Sequence, residues 1–281
     1  MLLSVRCFFT VLFITTLSSP ILATEPAAVQ KAWDILDAGA KEKSSAKRHN
    51  AIHALGLLTG DGKAVALAED ALKDPAPEVR EAAATSLGLL HSTASIPKLE
   101  LALNDKEISV VLAAAHSLWS LKDKQGYEVY YEILMGERKS TKGLIAGQED
   151  MLRDHKKLAE FGLEQAVGFN PFTGIGWQVL LAVHKDDVSP VRAAAAAVLA
   201  DDPDPHSAQA LILSCADKSW IVRVAALDAL ARRGDRAFLD DIEPHMADEK
   251  DMVRYTAAAA MIRLSSVSLR TKQGGARGRQ Q

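Results

Sequence analysis

The sequence repeats itself with a period of about 31 residues. Four copies begin with an aspartate that is followed six places later by an arginine, namely Asp74 and Arg80, Asp186 and Arg192, Asp217 and Arg223, and Asp248 and Arg254. Asp105 opens a further copy with Val111 in the arginine position, and Glu42 and Arg48 open a weaker first copy. Within each run, these marker acids are 31 or 32 residues apart. A fixed period of this length is typical of solenoid proteins, in which each unit packs against its neighbours.

Three positions of each copy predict the apolar stripe of one helix. Five places after the marker acid, five of the six copies have valine, and thirteen places after it every copy has leucine or methionine. Nine places after it, every copy has alanine. Because these positions are four apart, they lie on one face of an α-helix, and the alanine lets a neighbouring helix approach closely. The alanine column consists of Ala51, Ala83, Ala114, Ala195, Ala226 and Ala257.

Shorter apolar segments lie between these helices and predict a second helix in each copy. Links such as TGDGK and RRGDR contain the Gly and Asp residues that are typical of tight turns between helices. One helix pair cannot bury its apolar face alone, so the pairs must stack. The sequence therefore predicts an all-α fold, an α-solenoid or superhelix of stacked antiparallel helix pairs, with an irregular helical insertion in the middle. The second helices are predicted at 61–72, 95–103, 127–134, 207–215 and 236–246.

The repeated pattern D-x-x-x-x-V-R-x-x-A-A-x-x-L resembles HEAT repeats, in particular the short bacterial type that is named after phycobilisome lyases. The resemblance covers residues 42–134 and 185–265. It implies an α-solenoid. It implies no single activity, because repeats of this type occur in proteins with many unrelated roles.

The first 23 residues have the composition of a secretory signal peptide. Arg6 precedes an apolar run over residues 7–17, and Pro20 and the small residue Ala23 follow. This pattern predicts cleavage after Ala23, a secreted or periplasmic location, and no stable membrane span after cleavage. The alternative is an uncleaved membrane anchor, although the run is shorter than the ~20 residues that cross a bilayer. The mature chain then keeps one cysteine, Cys215, which we expect to be buried and without a disulfide partner.

The period is interrupted in the middle of the chain. Asp105 and Asp186 are 81 residues apart, so an insertion at 135–184 separates N-terminal repeats at 24–134 from C-terminal repeats at 185–265. The insertion is interpreted either as a stretched, degenerate repeat or as a specificity element, because insertions in solenoids often bind partners. In the second case, the possible partner contacts are Phe169, Phe172 and Trp177.

The C-terminal tail, residues 266–281, is basic, rich in glycine and without an apolar period, and it is predicted to be disordered. The formal net charge of the whole chain is −3. Since the repeats carry no basic stripe, we expect no nucleic-acid partner.

The repeated acid and arginine predict a structural ladder rather than a catalytic site. A catalytic site is needed once in a protein, whereas a stacking contact is needed in every unit. We expect the arginines to bond carboxylates or helix-end carbonyls between neighbouring repeats. The predicted ladder consists of Asp74, Arg80, Asp186, Arg192, Asp217, Arg223, Asp248 and Arg254.

Motifs for catalysis, metal binding or cofactor binding are not found in the sequence. It contains no G-x-x-x-x-G-K-[ST], no G-x-S-x-G and no H-E-x-x-H. His49 and His53 have a spacing that can hold a metal, but no third ligand in that repeat is nearer than Glu42. Deoxyhypusine hydroxylase, a HEAT-built enzyme, holds iron with His-Glu dipeptides, and none of the eight histidines here precedes glutamate. We predict no catalytic residue, no metal and no cofactor.

The sequence therefore predicts an exported, non-catalytic HEAT-repeat scaffold that binds a protein or peptide partner. One alternative is an accessory enzyme or lyase-like protein with a site near the 135–184 insertion. A second alternative is a structural protein of the cell envelope that is held at a membrane by an uncleaved N-terminus or by the aromatic segment GFNPFTGIGW. The sequence specifies neither the partner nor the oligomeric state.

Overall fold

The structure is a computed structural model that describes residues 21–135 and 188–277. All regular elements in these ranges are helices. Asp186 and the aromatic residues Phe169, Phe172 and Trp177 lie outside the described residues, as do nearly all of the predicted signal peptide and insertion. The helices are α1 (Ile21–Gly39), α2 (Ser45–Ala54), α3 (Gly62–Ala71), α4 (Pro77–Leu89), α5 (Ile96–Ala102), α6 (Ile108–Ser120), α7 (Lys124–Met135), α8 (Ser189–Leu199), α9 (Pro205–Ser214), α10 (Trp220–Arg233), α11 (Leu239–Ile242) and α12 (Asp251–Arg277).

The helix ends follow from local chemistry. The Asp61 carboxylate accepts hydrogen bonds from the first backbone N–H groups of α3, and Asp204 does the same at the start of α9. Such caps satisfy donors that have no partner inside the helix. Pro77 lies in the first turn of α4, where a missing N–H costs nothing. Gly234 has φ of +71° and ends α10 in the left-handed conformation that glycine adopts without strain.

The helices form two layers, an inner row and an outer row. The inner helices α2, α4, α6, α8, α10 and α12 carry the alanine column, and each packs against the next inner helix. The outer helices α3, α5 and α9 pack mainly against the inner helix of the following repeat, namely α4, α6 and α10, and α7 packs against α6. Inner and outer helices thus alternate along each described run of repeats, as the predicted helix pairs require.

The order of the inner row differs from the order of the chain. Along the row, the inner helices follow as α8, α10, α12, α2, α4 and α6. The last repeat thus packs against the first, because α12 contacts both α2 and α1. We call α1–α7 the N-terminal block, α8–α12 the C-terminal block, and their contact the junction. The two helices that flank the insertion, α7 and α8, are consequently at opposite ends of the row.

Five of the six alanines in the alanine column are buried, with an exposed fraction of at most 1%. Ala195 is the exception, since it is exposed together with Val191 and Val198 on the same helix. This helix, α8, stands at one end of the row, and no described helix packs on that face. The prediction of close packing along the alanine column is therefore wrong for Ala195.

The last helix, α12, ends at Arg277. Extending an existing helix adds one hydrogen bond per residue and needs no new nucleation. The disorder of residues 266–281 stays a prediction.

No helix in the described ranges combines the length and the apolar composition that crossing a bilayer requires.

Candidate functional site

The repeated arginines connect neighbouring repeats. Nε and Nη2 of Arg223 donate hydrogen bonds to the two carboxylate oxygens of Asp248 in the next repeat, at 2.8 and 2.9 Å. Nη1 of the same side chain donates to the backbone carbonyl of Asp217 in its own repeat, at 2.9 Å. One guanidinium therefore holds two repeats together. The same bidentate contact joins Arg48 to Asp74 and Arg80 to Asp105, and Arg192 also bonds both oxygens of Asp217.

The ladder departs from this pattern at the junction. Arg254 donates to the backbone carbonyl of Asp248, as expected, but its carboxylate partner is Asp251 in its own helix. The repeat that follows in the row begins with Glu42, and Lys47 lies between Glu42 and Asp251. The ladder aspartates also accept backbone N–H groups two residues further on. Their bonding capacity is used for structure, so the ladder is not a candidate site.

Inside the row, three faces of each inner helix are occupied by neighbouring helices, whereas α8 and α6 at its ends each have an inner neighbour on one side only. On α6, the Ser117 hydroxyl donates to the backbone carbonyl of Ala84 in the neighbouring helix α4. On the outer side, Gly126 of α7 lies so close to α6 that a Cβ there would be 2.4 Å from the Ala115 carbonyl oxygen. On α4, a Cβ at Gly88 would be 2.5 Å from Oγ of Ser117. One face of each inner helix therefore remains for other contacts.

This remaining surface, which we call the inner face, is formed by the positions eleven and fifteen places after each marker acid. Every one of these residues except Ala259 keeps some exposed surface. In contrast to the alanine column, their identity changes from copy to copy. The residues are His53, Thr85, His116, Ala197, Asp228 and Ala259 at the first position, and Leu57, Leu89, Ser120, Asp201, Arg232 and Arg263 at the second.

The variability of the inner face was present in the sequence but was missed. The alignment by marker acids identified the positions that are constant. These positions are constant because every repeat uses them to stack on its neighbours. Positions that stacking does not constrain are free to differ, and in a repeat protein these are the positions at which a binding surface is built. The signal was therefore the contrast between the alanine column and the columns two and six places after it.

The histidines of the inner face are neutral at pH 7. Burial lowers the pKa of His53 to about 4, and the nearby charge of His49 adds to this effect. The two rings are stacked with centroids 6.1 Å apart, while Nδ1 of His49 is 2.9 Å from the backbone carbonyl oxygen of Glu78. Burial likewise lowers the pKa of His116 to about 4. Within residues 21–135 and 188–277, no three His, Cys, Asp or Glu side chains are grouped so that they could hold a metal ion.

Cys215 is not a nucleophile in this environment. Its side chain is buried, and burial, with a contribution from Asp241, raises the pKa of its thiol to about 12. Because the thiolate is the reactive form, a thiol with this pKa is inert at neutral pH. Cys215 therefore contributes to packing, as a small apolar side chain does.

A cavity of about 180 Å³ lies at the junction, between inner-face residues of the two blocks. The N-terminal block contributes residues of α2, of the 3-10 turn Leu55–Leu57 and of α4, and the C-terminal block contributes residues of α10 and α12. We call it the junction cavity. Its existence depends on the contact between the last and the first repeat, so the linear sequence gives no sign of it.

Two separate segments of the chain, residues 34–119 and 178–262, match a family model described as HEAT repeats. The chain belongs to the HEAT-repeat family. Together the two segments make up more than half of the 281 residues, and they overlap the two predicted runs of repeats. The predicted HEAT resemblance and the predicted all-α solenoid are therefore confirmed.

The solved structures that match this chain are distant in sequence. Human deoxyhypusine hydroxylase in complex with glycerol is 18% identical, with 88% of this chain and 92% of that chain covered and a TM-score of 0.32. The CpcE–CpcF complex of phycocyanin lyase from Nostoc sp. is 21% identical, with 90% and 99% covered and a TM-score of 0.32. A designed armadillo repeat protein is 16% identical, with 85% and 99% covered and a TM-score of 0.24. Comparison with curated proteins gives no significant match. At this level of similarity, none of these proteins assigns an activity to this chain.

Proposed function

We propose that this protein is a non-catalytic scaffold whose inner face binds a protein or peptide partner. The observation that carries the proposal is the contrast between two sets of positions on the same helices. Positions used for stacking are repeated in every copy, whereas the inner-face positions vary and keep exposed surface. A surface that is free of packing constraints and is supported by a rigid array is suited to recognition.

The dimensions and chemistry of the inner face favour an extended peptide or a protein surface. Six helices in a row, packed at the usual spacing of 8–10 Å, span about 45 Å, which corresponds to roughly 14 residues of extended chain. The inner face combines apolar side chains such as Leu57 and Leu89 with polar ones such as Thr85, Ser120 and Asp201. This mixture is typical of protein interfaces, which are partly apolar and partly hydrogen-bonded.

The chemical state of three described side chains supports a non-catalytic role. His53 and His116, which have lowered pKa values, are poor proton acceptors at neutral pH, and the buried thiol of Cys215 is protonated. These three groups have pKa values far from neutrality, whereas an efficient general acid or base has a pKa near the operating pH. This supports the proposal that the described repeats act by binding.

We further propose that the partner is met outside the cytoplasm, because residues 1–23 have the pattern of a secretory signal peptide. Mass spectrometry of the protein recovered from the cell exterior or the periplasm should give a mature chain that begins at Thr24. Recovery of the full-length chain in the cytoplasmic fraction would contradict this location, and recovery in the membrane fraction would favour an uncleaved anchor.

The binding proposal is tested by affinity capture with the mature chain, followed by two matched variants. Thr85→Arg combined with Ser120→Arg places charge on the inner face at partly exposed positions. Leu101→Arg combined with Tyr127→Arg places the same two charges on the outer helices α5 and α7, where Leu101 is 73% and Tyr127 61% exposed. We expect the inner-face variant to lose the captured partner and the outer variant to keep it. Equal capture by both variants would contradict the proposal.

Replacement of residues 136–184 by a Gly/Ser linker of the same length provides the comparison with the alternative function, because α7 and α8 lie at opposite ends of the row and the chain must still span it. If the inner face carries binding, the linker variant keeps the partner and remains sensitive to Thr85→Arg with Ser120→Arg. Loss of the partner in the linker variant, with no effect of the inner-face substitutions, would instead assign recognition to the insertion.

A further inference from the structure

The junction cavity has the size of a site for a small molecule. Its volume of about 180 Å³ is slightly larger than an engineered protein cavity of ~150 Å³ that binds benzene. It thus has room for a planar ring with a small substituent. The cavity belongs to no single repeat, since both blocks contribute to its wall.

Most of the wall is apolar. Leu57 and Leu89 line it from the N-terminal block, and Val224 and Met252 line it from the C-terminal block. Val224 and Met252 are almost fully buried, whereas the two leucines are partly exposed. An apolar body placed among these four side chains removes its own surface from water and theirs as well, which favours binding.

The charged groups of the wall are engaged with the protein. Nε of Arg232 lies 2.9 Å from Oδ2 of Asp228, and Asp228 also acts electrostatically on Arg263. Nη1 of Arg263 donates to the backbone carbonyl of Leu57 at 2.6 Å, and its Nε donates to that of Ala231 at 3.0 Å. Both arginines have further interactions. Because an ion that enters a largely apolar cavity loses its hydration and needs a partner of opposite charge, this wall favours an uncharged ligand.

Two polar side chains of the wall are not engaged in this way, namely His53 of α2 and Thr256 of α12. His53 is in ring contact with His49, but within residues 21–135 and 188–277 neither the His53 nor the Thr256 side chain makes a hydrogen bond. Thr256 is only 5% exposed, and His53 keeps some accessible surface. A buried polar group without a hydrogen bond costs free energy, so a ligand that supplies the bond is favoured.

The chemistry of these two side chains selects a hydroxyl group. His53 is neutral at pH 7, so its ring has one N–H donor and one nitrogen acceptor. The hydroxyl of Thr256 both donates and accepts. A hydroxyl on the ligand also does both, and it therefore matches either side chain in either tautomer of His53.

From this combination of size, apolar wall and two polar side chains without hydrogen bonds, we propose that the junction cavity binds a phenol ring, that is, an uncharged aromatic ring with a hydroxyl group that hydrogen-bonds to the polar part of the wall, His53 and Thr256. The inference goes beyond the proposed scaffold role and does not depend on it. Since His53 belongs to the N-terminal block and Thr256 to the C-terminal block, the bound ring stabilises the junction.

The same chemistry can come from two sources. A free small molecule presents a phenol ring, and so does the tyrosine side chain of a peptide that lies on the inner face. The shared requirement is the hydroxyl on the ring. Phenol itself and N-acetyltyrosinamide, in which the ring is attached to a peptide backbone, distinguish the two sources.

The test is a titration of the full mature chain, followed by ligand-observed NMR, with phenol, N-acetyltyrosinamide and benzoate. Phenol should bind at one saturable site, whereas benzoate, which carries a charge in place of the hydroxyl, should not. Binding of N-acetyltyrosinamide as well would assign the site to a side chain of a peptide, and binding of phenol alone would assign it to a free small molecule. Absence of saturable phenol binding, or equal affinity for benzoate, would overturn the proposal.

A pair of substitutions that preserves the shape of the wall tests the hydroxyl contact. His53→Phe combined with Thr256→Val removes both hydrogen-bonding groups. We expect the affinity for phenol to fall about three- to tenfold, the usual net contribution of a hydrogen bond, and the affinity for toluene, which lacks the hydroxyl, to be retained. An unchanged affinity for phenol, or an equal loss for phenol and toluene, would contradict the assigned contact.

His116→Phe combined with Thr85→Val is the matched control. It makes the same two chemical changes on the inner face at positions that are not among the described lining residues. This variant should bind phenol and toluene as the natural chain does. A loss of phenol affinity equal to that of the His53→Phe with Thr256→Val variant would show that the ring binds elsewhere on the inner face.

Leu89→Trp locates the ring by filling the cavity from its partly exposed side. It should abolish the binding of both phenol and toluene, and circular dichroism checks that the variant is folded. Unchanged affinity in the folded variant would overturn the assignment to the junction cavity. If the larger side chain prevents folding, the comparison of the two double variants still decides whether the ring lies against His53 and Thr256.

Discussion

Arg80 reaches across the boundary between two repeats and donates hydrogen bonds to both carboxylate oxygens of Asp105, at 2.7 and 2.8 Å. The same guanidinium donates to the backbone carbonyl of Asp74, in its own repeat, at 2.9 Å. Its side chain is only 8% exposed and that of Asp105 is 14% exposed. The contact is therefore largely shielded from water, and each repeat relies on it to fix the position of the next.

Replacing Arg80 by leucine should destabilise the array by about 3 kcal/mol, because it leaves the Asp105 carboxylate buried without its cationic partner. Lys63→Leu is the control. The side chains of Lys63 and its partner Asp37 are 45% and 30% exposed, so water replaces the lost contact and the loss should be smaller. Urea unfolding followed by circular dichroism measures both. Equal losses for the two variants would contradict the role given to burial.

The alanine column offers a second comparison between two chemically identical changes. Ala83→Leu adds three carbons at a fully buried position between inner helices and should cost about 1–3 kcal/mol through overpacking. Ala195→Leu makes the same change at an exposed position of α8, and it should be nearly neutral. Thermal unfolding of the two variants checks the prediction. A neutral Ala83→Leu variant would show that neighbouring helices are not closely packed at this column.

The junction makes a prediction at Gly39, the last residue of α1. A Cβ at this position would lie 2.5 Å from Cε1 of Tyr255 in the last repeat and 2.7 Å from Cβ of Ala51. Gly39→Ala should therefore destabilise the junction by about 1–3 kcal/mol, since the ring must shift.

Gly62→Ala, at the first residue of α3, is the control for Gly39→Ala because a Cβ there has no atom within 4 Å. We expect this variant to be neutral or slightly stabilising, as alanine has the higher helix propensity. If Gly39→Ala were as stable as Gly62→Ala in thermal unfolding, α1 would not be pressed against the last repeat.

The lowered pKa of His53 predicts a loss of stability in mild acid. Its native pKa is about 4, whereas its ordinary value is 6.5. Between these values, the unfolded chain binds the proton more readily than the native protein does, so stability falls as the pH decreases from 6.5 towards 4. His53→Phe keeps an apolar ring and removes this proton. The variant should lose less stability than the natural chain between pH 7 and pH 5.

His206→Gln is the control for His53→Phe, because the His206 side chain is 98% exposed. Its unfolding midpoint should follow the same pH dependence as that of the natural chain. A pH dependence that is unchanged in His53→Phe would mean that other groups account for the acid sensitivity.

The side-chain pairing of the ladder was only partly contained in the sequence. Asp74 and Arg80 are six residues apart in one copy, and this spacing identified the ladder. In the structure, however, Arg80 bonds only the backbone carbonyl of Asp74, while the Asp74 carboxylate accepts from Arg48 of the preceding repeat. The period predicts which residue type occupies each position of the repeat. Which aspartate pairs with which arginine depends on how neighbouring repeats stack.

The sequence by itself determined the helix pairs, their period and the surfaces through which neighbouring repeats stack, because these depend on residues that are close in the chain. It did not determine the order of the repeats in the row. The first and the last repeat carry the same alanine column as the internal repeats, and only the ladder pairing differs between them. A sequence with this pattern is therefore compatible with open ends as well as with joined ends. Only the tertiary structure decides that α12 packs against α2, and this contact creates the junction cavity.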